Sequence, residues 1–161
     1  MTQVTSGRTA TVRLPTDEQI LITREFDAPR HQVFKAWTTP ELLRRWWTAG
    51  CGEMTVADVD LRVGGVWRYA MVATDGLESA FHGEYREIVP NELIVSTEVY
   101  EGAPDAEAVT RVSFTEADGR TLVTILVTHA TRQARDAHVS GMEVGLQQAL
   151  DLLGQVAGSL G

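Results

Sequence analysis

Cysteine is nearly missing from this chain: 161 residues contain one, Cys51. No intrachain disulfide can form, a cysteine-based zinc site is excluded, and the thiol inventory fits a reducing, cytoplasmic compartment. Long apolar runs are missing as well. No window approaches the ~20 apolar residues of a membrane helix, and Met1–Ala10 lacks the apolar core of a signal peptide. Basic charge is scarce, with 14 Lys plus Arg against 22 Asp plus Glu, a formal net charge of -8 and a pI near 4.9. That field repels nucleic acid and anionic lipid surfaces, so neither is an expected partner. The four histidines, His31, His82, His129 and His138, show no metal-ligand spacing. Gly64-Gly65 lacks the context of a dinucleotide loop, and no Gly-x-Ser-x-Gly elbow is present. No cofactor and no metal are expected.

What remains is an ordinary globular composition: 43% hydrophobic, 22% charged, mean hydropathy -0.10. A chain of this length forms one domain by default and removes roughly 70% of its extended surface from water. The Thr/Ser/Gly-rich opening reads as a flexible tail or the start of a first strand over residues 1–18. A single domain follows over 19–158.

Residues 19–26 are β-branched and aromatic, as in a strand. Asp27-Ala28-Pro29 then reads as a helix start with Asp27 as the cap, and Val33, Phe34 and Trp37 mark one helical face. Thr39-Pro40-Glu41 repeats the signal for a second short helix carrying Leu42, Leu43, Trp46 and Trp47. Strands follow at 53–60, 66–73, 81–89, 93–100, 109–115 and 121–129, separated by Gly64-Gly65, Asp75-Gly76, Pro90-Asn91, an acidic loop over 101–107 and Asp118-Gly119. Short strands joined by tight turns indicate an antiparallel meander. From Arg132 to Ala157 proline is absent and the period becomes helical, through Val139, Met142, Leu146, Leu150, Leu153 and Val156. Gly141, Gly145 and Ala149 form a small-residue ridge that predicts close approach of this helix to a sheet.

The order and the local wording resemble a known superfamily. Arg24-Glu-Phe-Asp-Ala28-Pro29, Val33-Phe34-Lys-Ala-Trp37-Thr-Thr-Pro40-Glu41-Leu42, Arg45-Trp46-Trp47, Asp60-Leu-Arg-Val-Gly64-Gly65-Val-Trp67, His82-Gly83-Glu-Tyr85 and Leu93-Ile-Val-Ser-Thr97 carry the likeness. They resemble the START-like, or SRPBCC, superfamily. The subgroup is similar to the C-terminal domain of the activator of the ninety-kilodalton heat-shock-protein ATPase. The resemblance implies an α+β helix-grip fold, in which a curved antiparallel sheet of about six strands wraps a long C-terminal helix. Two short helices follow the first strand. It also implies a deep apolar cleft between sheet and helix, the usual shape of a small-molecule pocket.

Strand alternation puts Trp67, Tyr69 and Met71 on the cleft face, with Phe81 and Tyr85 beside them and Phe114 further along. Trp46 closes one end, Met142 and Leu146 supply the helix wall, and His129 stands in register with Val123, Ile125 and Val127 at the mouth. These ten residues are the candidate ligand-binding set, and a hydrophobic small molecule is the expected partner. Two readings stand beside that one: a polyketide-cyclase-like enzyme that confines a reactive substrate, and a chaperone-interacting module implied by the resemblance alone. A homodimer is compatible with the sequence. His82 and Glu84, two apart on one strand, form an acid/base pair that their apolar neighbours turn toward solvent. His31 and His138 read as solvated helix residues, and Cys51 as incidental.

Overall fold

Alternation of apolar residues becomes one antiparallel sheet in the computed structural model, which describes residues 9–142 and 145–160. The strands are β1 (Thr11–Arg13), β2 (Gln19–Phe26), β3 (Gly52–Val59), β4 (Val66–Ala73), β5 (Glu78–Val89), β6 (Leu93–Tyr100), β7 (Glu107–Ala117) and β8 (Arg120–Thr128). Their order across the sheet is β1-β2-β8-β7-β6-β5-β4-β3, so the chain meanders from β3 to β8 and closes on β2. Eight strands stand among the described residues, against a resemblance that implies about six and seven ranges read from alternation. The strand that no range covered is β1, which pairs Thr11 with Thr23 and Arg13 with Leu21. Three residues are too few for alternation to reveal, and β1 exists because β2 offers it an edge. The tail expected over residues 1–8 lies outside the described residues.

One face of the sheet is covered by α1 (Arg30–Thr38), α2 (Pro40–Leu43), α3 (Arg132–Met142) and α4 (Leu146–Gly158). Ile20, Ile22 and Phe26 of β2 point inward with Val123, Ile125 and Val127 of β8 and Val112 and Phe114 of β7. They meet Val33 of α1, Leu43 of α2 and Leu153 of α4. Burying each such side chain contributes roughly 1.5–3 kcal/mol. β-bulges between Met54 and Val56 and between Tyr85 and Glu87 bend the sheet where β3 and β5 pass the helical layer.

The helix starts differ from their sequence signals. Pro29, not Asp27, is the N-cap of α1, and it offers no side-chain acceptor. The Arg30 N–H instead donates to Glu116 Oε1 at 2.7 Å, so a carboxylate from the β7–β8 hairpin does the capping from outside. Asp27 faces Arg120 at 3.5 Å. Thr39 does cap α2, with Pro40 in the first turn, but its hydroxyl makes no capping bond. The expected unbroken C-terminal helix is divided into α3 and α4, and Glu143 and Val144 between them lie outside the described residues. Glycine at 141 and 145 weakens helix there by about 1 kcal/mol each. The glycine ridge does not meet the sheet. A Cβ on Gly145 would lie 3.3 Å from the Ala49 Cβ, and one on Gly141 would meet nothing within 4 Å. Glycine at 145 thus makes room for the turn that follows α2.

Two buried arginines fasten helices to the sheet. Arg24 reaches from β2 to Asp151 of α4 at 2.7 Å. Arg135 of α3 donates to the Thr16 carbonyl at 2.8 Å and so holds α3 against the loop before β2.

Candidate functional site

An aromatic wall occupies the inner face over β4 and β5. Trp67 and Tyr69 lie two residues apart on β4, and their rings are 4.6 Å apart. Tyr69 pairs across the ladder with Phe81 of β5. Trp47, from the turn after α2, sets its edge against both, 5.4 Å from Tyr69 and 5.6 Å from Phe81. Such edge-to-face contacts suit the ring quadrupoles. Trp67 and Tyr85 are buried, whereas Trp47, Tyr69, Met71 and Phe81 are half-buried. The wall therefore has a closed floor and a solvent-reached side.

The other candidates divide by burial. Trp46 is 5% exposed, donates its Nε1–H to the Ala36 carbonyl at 3.0 Å and stacks near Trp37. Phe114 is 2% exposed and sits between Phe34 and Trp37. Met142 and Leu146, at the end of α3 and the start of α4, are half-buried against the core.

Polar groups on this face are few. The Tyr69 and Tyr85 phenols lie close enough to influence each other's titration. Burial, first of all, raises the Tyr69 phenol well above its usual range, helped by Tyr85 and by the nearby Glu98 carboxylate. Burial pushes Tyr85 up to about 12, against the lowering effect of Tyr69. Both stay neutral donors at any physiological pH. Glu98 was missed by the sequence reading. The register running from Phe81–Tyr100 to Tyr85–Ser96 sets it opposite Gly83, on the inner face. There burial raises its carboxyl above the usual range, while the Thr110 hydroxyl, donating at 3.4 Å, partly offsets that rise.

His129 follows the last residue of β8, just beyond Val127. Its Nε2 lies 2.9 Å from Nδ1 of His138 on α3, so one ring donates to the other. His138 is half-buried in that contact and is not the solvated residue expected from its place on a helix. Burial, then His138 and Arg135, lower His129 to about 4, and burial lowers His138 too. A histidine held neutral in the fold titrates near 6.5 once unfolded. Its stabilising contribution is therefore complete above about pH 6.5 and lost as pH falls toward about 4. We expect a loss of about 1–2 kcal/mol over that window, reduced from the full shift because water reaches the rings. Urea midpoints between pH 7.5 and 4.5 measure it, and the double variant His129→Gln, His138→Gln should flatten the slope.

On the opposite face, His82 does not work with Glu84. Its Nδ1 is 2.9 Å from Glu101, which also receives two 2.9 Å bonds from Arg68. Arg68 and then His82 hold the Glu101 carboxyl down at about 2. The cluster is solvent-reached and braces the start of the loop after β6. Cys51 is exposed. Among the described residues no group of three His, Cys, Asp or Glu could hold a metal ion. No helix among them is long and apolar enough to cross a membrane.

A meandering antiparallel sheet with two short helices after its second strand and C-terminal helices across its inner face defines a START-like protein of the helix-grip class. Within that class the chain belongs to the family described as activator of Hsp90 ATPase homolog 1-like protein, which matches residues 27–158. Solved structures share the fold. A Rhodobacter sphaeroides protein superposes with a TM-score of 0.85 at 22% identity, covering 93% of this chain and 99% of that one. A Mycobacterium smegmatis protein reaches 0.81 at 26% identity, covering 91% and 96%. An AHSA1-like protein from Aeromonas hydrophila reaches 0.65 at 24% identity, covering 87% and 93%. Among curated proteins none matches.

Proposed function

We propose that this protein binds an apolar or aromatic small molecule between the inner face of the sheet and the helical layer, as a carrier, sensor or sequestering module. The observation that supports it is the half-open aromatic wall. Trp47, Tyr69 and Phe81 keep solvent contact on the face that β2, β7 and β8 bury. Leaving large rings wet forgoes roughly 25 cal/mol for each Å² that an occupant would cover. Trp67 and Tyr85 form the floor under that occupant, Met71 flanks it, and Met142 and Leu146 border it from the helical side. Trp46 and Phe114 pack on Trp37 in the core beside the floor, and His129 closes the far end.

The test begins with native mass spectrometry of the protein as purified, which reads any ligand retained by the cleft. Titration with N-phenyl-1-naphthylamine, a neutral probe that fluoresces in apolar surroundings, follows. Met71→Trp should weaken probe binding about tenfold by filling the space beside the wall. Leu77→Trp, in an exposed turn, should leave it unchanged. Absence of probe binding, or equal binding by Met71→Trp, would refute the reading.

A further inference from the structure

Beside the aromatic wall lies a polar arrangement that an apolar occupant would not require. Trp67 is 7% exposed, and its Nε1–H is buried without a partner. The indole crosses β5 at Gly83, where a Cβ would come within 2.6 Å of Nε1. The ring thus leads from β4 toward β6, where Glu98 stands opposite Gly83. The Trp67 donor asks for an acceptor, which an ammonium nitrogen does not offer, so the charge an occupant would carry is set by Glu98 alone. The bond it receives in the fold is the long one from Thr110, and among the described residues no Lys or Arg pairs with it. A half-buried carboxylate without a cation, beside Trp67, Tyr69 and Phe81, has the composition of an ammonium site. Ring faces attract a cation through their quadrupole, and the carboxylate neutralises it. The net charge of -8 adds a field that concentrates cations and repels anions.

The geometry points to an organic ammonium ion with an aromatic or apolar body as the ligand, its charged nitrogen held by Glu98 and its body against the wall. This inference rests on the cleft-binding reading and narrows it to a chemical class. Glu98 is then the residue that sets specificity, while the wall supplies most of the contact. A neutral analogue keeps the wall and loses the ion pair. An anionic analogue meets repulsion at Glu98.

The test uses three probes that share one body: 2-(2-naphthyl)ethylamine, 2-(2-naphthyl)ethanol and 2-naphthylacetate, titrated calorimetrically into the intact protein at pH 7.5. The amine should bind about tenfold tighter than the alcohol, and the carboxylate most weakly. Glu98→Gln should bring the amine down to the level of the alcohol and leave the alcohol within about twofold. An amine that binds no better than the alcohol, or a preference that survives in Glu98→Gln, overturns the inference while alcohol binding upholds the cleft. If none of the three binds, the cleft reading falls and this inference with it. The ranking on the unmodified chain decides the matter even if Glu98→Gln fails to fold.

Discussion

Gly83→Ala should destabilise the fold by about 3 kcal/mol or more, a large effect for one methyl group. A Cβ at this position would stand 1.9 Å from the Thr97 carbonyl oxygen and 2.6 Å from Trp67 Nε1. The first neighbour is backbone in a paired strand and cannot swing aside. Relief requires either parting β5 from β6 or expelling the Trp67 indole from its buried position. Both costs fall on the aromatic wall, so the loss of stability should come with loss of probe binding. For a chain of this size the melting temperature should fall by about 6–12 °C. Urea unfolding with an unchanged slope would attribute the shift to the native state. A variant within about 1 kcal/mol of the parent would show that the β5–β6 ladder yields at this point.

Phe114→Ala is the second large effect, at about 3–5 kcal/mol. Its ring is 2% exposed and lies 5.4 Å from Phe34 and 5.8 Å from Trp37, so removal leaves a void where α1 meets β7. Phe81 gives the contrast. It is the same residue type on the same face, but it is half-buried and touches Trp47 and Tyr100 at the open side. Phe81→Ala should cost less than half as much stability and yet weaken the neutral probe more than Phe114→Ala does. Denaturant midpoints and probe titrations on the two variants separate the ring that holds the layers together from the ring that meets an occupant. The reverse ranking in probe binding would move the ligand surface toward β7.

Acid behaviour distinguishes the two histidine contacts. His129 loses its contribution between about pH 6.5 and about 4. Glu101, held at about 2, loses its own from the ordinary carboxylate range of 4.5 downward. The windows barely meet, so a slope seen at pH 5.5 belongs to the contact between β8 and α3 and not to the cluster beside β6.

By itself the sequence determined which segments are strands and which are helices, apart from β1 and the division between α3 and α4, together with the antiparallel order of the meander and the sharing of one face by Trp67, Tyr69 and Met71. Each of these is a local property. A period of two or of about 3.6 is written in consecutive residues, and turn glycines punctuate it. The superfamily was legible for the same reason, since its marks are short runs such as Phe34-Lys-Ala-Trp37-Thr-Thr-Pro40. Alternation gives the parity of a strand but does not say which parity faces inward. Strand β6 shows this, because apolar residues stand at both parities, Leu93, Val95 and Val99 at one and Ile94 at the other. Pairing with β5 turns Ile94, Ser96 and Glu98 toward the helices, and only the tertiary structure decided that a carboxylate belongs to the site. It alone also set Glu116 at the start of α1, His138 against His129 and Glu101 against His82. Those partners stand 86, 9 and 19 residues apart along the chain. No local period reports such distances, because they are set by how the sheet bends and which strand ends the helices reach.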